Sequence, residues 1–388
     1  MKGSVLIIGG GASGLLCAIQ LAKNGKKVTV LEKNERVGKK LLATGNGKCN
    51  LTNTNITYKD YNTYLIKDIL DEFTPTKIMD EFAKLGLLTK ADLEGRVYPY
   101  SESANTVLNV LLRRLDEYGA QIVCDTLVEK VLPESGKWKA VTNKGEFIGD
   151  CVVFACGSNA TSGCDSLGIM SGLGHKVIPF KYAIAPLVCD GIKGANGVRA
   201  KVYASIDING KSVMGEKGEL LFKDDALSGI LAFRLSSALA RFRDKIDSCK
   251  VIIDFLPDMQ EGQLADFIYD NCSVYSPLEG ILHKAISQNV IARIPMDRSL
   301  IMSRKKAADI AKACKNFEVN IHSVGGRANA QVACGGVALE ELDINTLQSK
   351  LHRGLYCIGE SVDVDGLCGG CNLHWAWASA MTVSKDLI

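Results

Sequence analysis

Three glycines near the N-terminus have a spacing that suits phosphate binding. They form a G-x-G-x-x-G sequence directly after the apolar run Val5 to Ile8 and before a helical repeat of leucine and isoleucine. The first glycine permits a tight turn, the second lets the backbone approach a pyrophosphate, and the third lets the helix pack closely on the strand. N–H groups at a helix start also bind anions. The predicted phosphate contacts are Gly9, Gly11, Ala12, Ser13 and Gly14.

An acidic residue ends the next predicted strand. Glu32 follows Val28 to Leu31, and its carboxylate suits hydrogen bonds from the ribose hydroxyls of an adenosine. An acid here disfavours a 2′-phosphate, so the strand, turn, helix and acid together predict NAD or FAD. Lys33 and Val128 are predicted as further contacts.

Two later segments favour FAD. Asp150 to Ala160 is an apolar strand ending in Ala155 and Gly157, and Gly354 to Gly366 is another strand ending in Gly359 and Glu360. With the N-terminal glycines they resemble the three fingerprints of the glutathione-reductase-like FAD fold. That resemblance implies that the carboxylate of Glu360 lies on the ribityl chain. No second G-x-G-x-x-G follows a strand, so NAD(P)H, a candidate co-substrate, would have to bind without a Rossmann domain of its own.

The segment TGNGKCNLTN, residues 44–53, is rich in glycine and asparagine. Lys48, Asn50 and nearby N–H groups are predicted to line the pyrophosphate and the isoalloxazine, and the alternative is an ordinary turn. Cys49 has no second cysteine nearby, which favours a buried, unreactive thiol over a flavin-linked one. The predicted contacts of this region are Lys40, Gly47, Lys48, Cys49 and Asn50.

The segment GLCGGCNLHWAW, residues 366–377, allows three interpretations: a redox disulfide, a metal clip, or a backbone loop around a ligand. We favour the loop, because its glycines give backbone freedom and the helix that follows presents a positive end to the flavin pyrimidine ring. His374, just inside that helix, is the candidate acid or base, and the alternative is a packed side chain. The predicted contacts are Asp363, Gly370, Cys371, Asn372 and Leu373. No metal site is predicted, since no second C-x-x-C exists.

Five blocks together resemble a bacterial family, the aminoacetone-oxidase-like or BaiN-like NAD(P)/FAD-dependent oxidoreductases. The blocks are GKKLLATGNGKCNLTN, GRVYPYSESA, GELLF, AQVACGGV and GLYCIGESVDVDGLCGGCNLHWAWASA, in this order. The resemblance implies an α/β fold, a Rossmann-like FAD-binding domain of three-layer ββα type interrupted by a β-barrel-like insert and a small helical bundle. The expected boundaries are 1–187 and 331–388 for the FAD domain, 188–257 and 316–330 for the barrel, and 258–315 for the helices.

The chain departs from this family at four places, one of which is the stretch SNATSGCDSLGIMSGLGH after Gly157. Lys223, Asp224 and Asp225 stand where Thr-His is frequent, Cys371 stands where tyrosine is frequent, and His374 stands where glutamine is frequent. These departures bear on the substrate more than on the fold or the cofactor.

Composition narrows the functional class. The 388 residues carry 46 basic and 43 acidic side chains, a net charge of +3, which gives no electrostatic case for a nucleic-acid or membrane partner. The 14 cysteines are scattered, which suits a reduced cytosolic protein. Residues 3–22 carry no charge, but the glycines in their middle disfavour a membrane span.

These observations predict a cytosolic FAD-dependent oxidoreductase that transfers a hydride between the flavin and a small organic substrate. Two alternatives stay open. One is a flavoprotein that acts on RNA, for which the basic stretch SRKKAADIAKACK, residues 303–315, is the available surface. The other is a thiol–disulfide oxidoreductase that uses Cys368 and Cys371.

Overall fold

The computed structural model describes residues 3–158, 166–240, 249–295, 301–326, 330 and 332–388. Its strands are β1 Ser4–Ile8, β2 Lys27–Leu31, β3 Thr52–Asn53, β4 Thr89–Ala91, β5 Arg96–Pro99, β6 Gln121–Val123, β7 Val128–Glu134, β8 Lys137–Thr142, β9 Gly145–Gly149, β10 Cys151–Phe154, β11 Val177–Ala183, β12 Leu187–Cys189, β13 Arg199–Ile208, β14 Lys211–Phe222, β15 Ala226–Ser228, β16 Cys249–Asp254, β17 Phe317–Val324, β18 Val332–Val337 and β19 Leu355–Cys357. Its helices are α1 Ala12–Lys23, α2 Lys39–Ala43, α3 Lys67–Glu72, α4 Pro75–Leu85, α5 Ala104–Glu117, α6 Ser166–Gly172, α7 Ile230–Ala240, α8 Glu261–Asn271, α9 Lys284–Ile291, α10 Arg304–Lys315 and α11 Cys371–Leu387.

The chain forms two units, each with its own hydrophobic core. The first contains Met1–Lys181 and Gln331–Ile388, and the second contains Tyr182–Ala330. The first unit is therefore built from both ends of the chain, with the second inserted between them.

A five-stranded parallel sheet organises the first unit. Its strand order is β19-β10-β1-β2-β6, and every pairing in it is parallel. The short apolar strands β1 and β10 are buried along almost their whole length, as expected for strands covered on both faces. The chain leaves β1 for β2 on one side while β10 lies on the other, so the carboxyl ends of these strands border a crevice of the kind where α/β sheets bind ligands.

Other layers cover this sheet. Helix α1 packs with α5 and α11, and the antiparallel sheet β7-β8-β9 packs near β1 and β10. Contact is close at Gly149 in β9, where a Cβ would lie 2.8 Å from Cγ of Leu6. The expected Rossmann-like domain is confirmed.

The second unit is a closed six-stranded barrel with strand order β12-β15-β14-β13-β16-β17. Helices α7 to α10 share one hydrophobic core with these strands, so the expected separation of a helical domain at 258–315 stays a prediction. Helix α8 begins at Glu261, capped by Gln260 and Gln263. Asp258, two residues before that cap, pairs with Lys217 of β14 over 2.5 Å.

The uncharged N-terminal segment forms β1 and α1, as the strand, glycine turn and helix predicted from the sequence require. No helix in the described ranges is long and apolar enough to cross a membrane. The cytosolic location stays a prediction.

Candidate functional site

The turn between β1 and α1 is packed so closely that two of its positions admit only glycine. Gly9 has a left-handed φ of 110°, and a Cβ there would lie 2.3 Å from the carbonyl oxygen of Ala155. A Cβ on Gly14 would lie 2.0 Å from the carbonyl oxygen of Gly9. These contacts hold the turn against the end of β10 and the start of α1 against the turn.

Gly11 differs from those two glycines, because the space in front of it is open. Within the described part of the chain, no heavy atom lies within 4 Å of the position its Cβ would take. Gly11 is the N-cap of α1, with φ −85° and ψ −169°, and it has no side chain that could cap the helix. The N–H groups of the first turn, which begins at Ala12 and Ser13, are therefore available to an anion in that space.

Glu32 is buried at the end of β2 and holds two loops. Its Oε2 accepts the N–H of Gly10 over 2.8 Å, and its Oε1 accepts the N–H of Asn34 over 2.9 Å. The carbonyl oxygen of Glu32 accepts the N–H of Thr126 over 2.8 Å, which ties β2 to the segment leading into β7. Among the residues predicted at the adenosine end, Glu32 and Lys33 follow β2 and Val128 begins β7, two residues after Thr126.

Glu360 follows β19, and two side chains converge on one of its oxygens. Lys40 Nζ and Ser158 Oγ both donate to Glu360 Oε2, the latter over 3.1 Å. Lys40 Nζ also lies 3.2 Å from Ser158 Oγ. The side chains of Lys40 and Glu360 are 26% and 13% exposed, so this ion pair is partly shielded from water. It fixes the position of a carboxylate at the mouth of the crevice.

The ends of β10 and β19 also meet α1. The N–H of Gly157 donates to Ser361 Oγ over 3.0 Å. Gly359 has a φ of 61°, and a Cβ there would lie 2.6 Å from Oγ of Ser13. The predicted residues Ser13, Gly157, Gly359 and Glu360 are therefore brought together.

Asp363 follows Glu360 in the chain and lies beside strand β18. Its Oδ1 accepts the N–H of Gly335 over 3.1 Å, and its own N–H donates to the carbonyl of Val337 over 2.9 Å. Burial raises the pKa of Asp363. Its side chain therefore anchors β18, and its predicted contact with the cofactor stays a prediction.

The loop that begins at Thr44 is folded back by left-handed backbone at Gly45, Asn46, Gly47 and Cys49. Cys49 is fully buried, and burial raises the pKa of its thiol to about 12, which agrees with an unreactive cysteine. Lys48 is exposed and donates to Glu102 over 2.8 Å, a pairing that raises the pKa of Lys48. The lysine is therefore engaged with Glu102, in the turn between β5 and α5.

Asn50 completes this loop and carries an unsatisfied polar atom. The residue is 9% exposed, and its buried Oδ1 has no hydrogen-bond partner in the described part of the chain. Buried polar atoms are nearly always paired, so this oxygen indicates a contact with a ligand.

The loop before α11 is braced by side chains. The carboxamide of Asn372 accepts the N–H of Gly366 over 3.0 Å and donates to the carbonyl of Gly366 over 2.8 Å. The hydroxyl of Tyr61 donates to the carbonyl of Cys371 over 2.8 Å. Cys371 is buried, whereas Cys368 and Leu373 are partly exposed. Two hydrogen-bonding side chains thus set the shape of the loop.

Helix α11 starts against β3. Gly370, its N-cap, has a φ of 113°, and a Cβ there would lie 2.6 Å from the carbonyl carbon of Thr52. One turn later, Nδ1 of the fully buried His374 lies 2.8 Å from Thr52 Oγ1. Burial lowers the pKa of His374 to about 4, against a smaller opposite effect of the Phe73 backbone, so the imidazole is neutral at pH 7. This geometry supports a role in holding α11 on β3, and the catalytic role of His374 stays a prediction.

Sequence reasoning missed three residues that position the site. Ser158 bonds Glu360, Thr52 bonds His374, and Tyr61 braces Cys371. Thr52 lies in the block TGNGKCNLTN, which was predicted to contact the cofactor, so the sequence carried a signal for this residue. Tyr61 lies 310 residues from its partner, so no local pattern could reveal it.

The residues fit a dinucleotide with a flavin. The open space at Gly11 and the uncapped start of α1 suit a pyrophosphate. The fixed carboxylate of Glu360 suits a hydroxyl-bearing chain, and the unpaired oxygen of Asn50 suits an N–H donor.

The chain is similar to known proteins along nearly its whole length. The model of a family described as HI0933-like protein Rossmann domain matches residues 3–386. A 3-dehydro-bile acid delta(4,6)-reductase of Clostridium scindens is 35% identical over 405 residues, with 98% of this chain and 97% of the relative covered. A ribosomal RNA dihydrouridine synthase of Haemophilus influenzae is 27% identical, with 98% of each chain covered.

One solved structure with the same fold is a 3-ketosteroid delta1-dehydrogenase from Sterolibacterium denitrificans, in complex with 1,4-androstadiene-3,17-dione. It has a TM-score of 0.51 at 13% identity and covers 99% of both chains. At this identity the likeness establishes the fold alone.

Proposed function

We propose that this protein reduces a carbon–carbon double bond conjugated to the ketone of a steroid-like molecule. The chain belongs to the HI0933-like Rossmann-domain family and is an FAD-dependent oxidoreductase. The observation that carries this proposal is the relative named as a 3-dehydro-bile acid delta(4,6)-reductase, at 35% identity over 98% of the chain. That relative is similar along the whole chain, so both units have counterparts in it.

The chemistry needs a hydride, a proton and an activated double bond. A ketone withdraws electrons from the conjugated double bond, so that one carbon accepts a hydride and its neighbour accepts a proton. A bound flavin supplies the hydride chemistry. The protein contributes position and charge: Lys40 and Ser158 hold the Glu360 carboxylate, and the N-terminus of α11 carries partial positive charge that stabilises an adjacent anion.

The electron pair has to come from a reductant, and we propose NADH or NADPH. The sequence offers no second G-x-G-x-x-G for a nicotinamide domain. The dinucleotide would therefore bind transiently at the flavin and leave after hydride transfer.

The test is an anaerobic turnover assay with the purified flavoprotein. We expect NADH or NADPH to bleach the flavin absorbance, and a 3-oxo-Δ4,6 bile acid to restore it while gaining one H2 per double bond reduced. The matched control is the saturated 3-oxo bile acid, which should leave the reduced flavin unchanged. A reduced flavin that transfers no hydrogen to the unsaturated compound would refute the proposal.

A second candidate is reduction of uridine in RNA. The relative from Haemophilus influenzae is named as such a synthase, and the double bond of uracil is likewise conjugated to a carbonyl. In this chain, helix α10 exposes Arg304, Lys305 and Lys312. Salt-dependent gel shifts with ribosomal RNA, followed by mass spectrometry for dihydrouridine, would support this candidate. The net charge of +3 favours the small-molecule substrate.

A further inference from the structure

Asn50 carries a buried polar atom that the protein leaves unpaired. The residue is 9% exposed, and no partner for its Oδ1 exists among the described residues. A buried carbonyl without a donor costs about as much as a lost hydrogen bond. Such an unpaired oxygen is expected where a bound ligand supplies the missing hydrogen-bond donor.

The backbone beside Asn50 has an uncommon conformation and is tightly packed. Cys49, directly before it, has a left-handed φ of 60°, a conformation that side-chain-bearing residues rarely adopt. The loop returns so closely that a Cβ on Gly45 would lie 2.9 Å from the N of Asn50. Strained backbone of this kind is typical of sites that position a ligand.

The segment that carries Asn50 also packs against the start of α11, which is distant in the sequence. Thr52, two residues later, is the residue that Gly370 approaches, with the position of a Cβ 2.6 Å from the Thr52 carbonyl carbon. The Asn50 carboxamide therefore lies on the short segment between the left-handed loop and Thr52, and this segment packs against the positive end of α11. A flavin ring held at that helix end would present its pyrimidine half to this segment.

The donor requirement selects one part of the cofactor. Oδ1 needs an N–H or O–H group. The pyrophosphate has no donor at neutral pH, the dimethylbenzene edge is apolar, and the ribityl hydroxyls have Glu360 as their matching carboxylate. The adenosine hydroxyls and the adenine amino group are predicted at the Glu32 end of the site. The donor of the oxidised flavin that remains near α11 is N3–H of the pyrimidine ring, which is flanked by carbonyl oxygens that the Nδ2 of a carboxamide can meet.

We infer that the Asn50 carboxamide recognises the pyrimidine edge of the flavin, with Oδ1 accepting N3–H. Asn50 is then a positioning residue that fixes the rotation of the ring in its plane. This inference rests on the flavin site of the proposed function and deepens it.

The test uses FAD and its N3-methyl analogue, which lacks the proposed donor. Flavin-free wild-type protein is titrated with each compound, and the dissociation constants are measured by quenching of flavin fluorescence. We expect the wild type to bind FAD about tenfold more tightly than the analogue. We expect N50A to bind FAD about tenfold more weakly than the wild type and to bind both compounds equally within about twofold.

Two controls make the result specific. N46G removes another amide from the same loop while keeping its left-handed backbone, since Asn46 is exposed with a φ of 54°; it should retain the wild-type preference. N50D keeps an acceptor oxygen and should also retain a preference for FAD.

Two outcomes would overturn the inference: equal binding of both compounds by the wild type, or an unchanged preference in N50A. The wild-type comparison needs no variant, so a failure of N50A to fold leaves the test intact. Steroid reduction plays no part in this titration. A negative turnover assay would therefore refute the proposed substrate alone. Equal binding of FAD and its N3-methyl analogue by the wild type would refute this inference alone.

Discussion

Two glycines three residues apart in the phosphate turn should respond to alanine in opposite ways. A Cβ on Gly14 would lie 2.0 Å from the carbonyl oxygen of Gly9, so Gly14→Ala must push the turn away by about 1.4 Å to reach ordinary contact. Overpacking of this kind costs about 1–3 kcal/mol, and the helix propensity of alanine offsets ~1 kcal/mol of that cost. The net loss of up to about 2 kcal/mol should lower the melting temperature of the flavin-free protein by up to roughly 8 °C for a folding unit of this size.

Gly11→Ala should leave the flavin-free protein almost unchanged and damage cofactor binding. No heavy atom of the described chain lies within 4 Å of the new methyl group, and the backbone at φ −85° suits any residue. An alanine N-cap changes stability by at most about 1 kcal/mol. The methyl group would occupy the approach of the pyrophosphate, and a steric penalty of about 1–3 kcal/mol corresponds to roughly 5- to 150-fold weaker FAD binding.

Both effects are measured on flavin-free protein, by thermal melting and by titration with FAD. Expected are a stability loss for Gly14→Ala and an affinity loss for Gly11→Ala. If Gly11→Ala binds FAD as tightly as the wild type, or destabilises the flavin-free protein as much as Gly14→Ala, the assignment of the turn to the pyrophosphate is wrong.

Three further predictions concern side chains. Lys40→Met should weaken FAD binding about tenfold in a fluorescence titration, because Glu360 loses its charged partner, while Lys40→Arg should lose less; equal affinities would contradict the positioning role. The double variant Cys368→Ser/Cys371→Ser should keep its FAD, its visible spectrum and most of its rate of flavin reduction in stopped flow, and loss of turnover with FAD bound would favour the thiol enzyme. Between pH 6.5 and about pH 4 the unfolded chain protonates His374 and the native chain does not, so the free energy of unfolding should fall by up to about 3 kcal/mol as the pH is lowered through this window. His374→Gln should remove that slope in denaturant titrations, and an equal slope in both proteins would show that His374 does not titrate as described.

The backbone of the cofactor site could be predicted from sequence because its requirements are local. The glycine spacing determines where the chain turns, and the left-handed φ of Gly9 and the close contact of Gly14 follow from that turn. Gly157 and Glu360 were placed by the resemblance of their segments to the fingerprints of the FAD fold, and the parallel strands β10 and β19 end at the same edge of the sheet.

Side-chain partners could not be predicted in the same way, since they depend on contacts between distant segments. Lys48 pairs with Glu102, 54 residues away, and nothing in the loop sequence shows that the turn between β5 and α5 approaches it. His374 illustrates another limit. Its helix is buried around most of its circumference near the start, so the apolar pattern of α11 has no polar face that would tell an inward residue from an outward one.

The C-terminal loop owes its shape to close backbone contacts and to amide and hydroxyl side chains. At Gly370 a Cβ would lie 2.6 Å from Thr52, and at Gly366 a Cβ would lie 2.5 Å from Cβ of Cys371. Any larger residue at either position would separate α11 from β3 or open the loop that Asn372 closes. Cys371 is 5% exposed at the first position of the helix, so its sulfur is the less accessible of the two that a thiol–disulfide enzyme would use here. The same loop satisfies the needs of a flavin ring, because backbone N–H groups and a helix start meet there. The geometry therefore favours cofactor binding over thiol chemistry, and the requirement for glycine falls at the positions where the backbone comes closest to its neighbours.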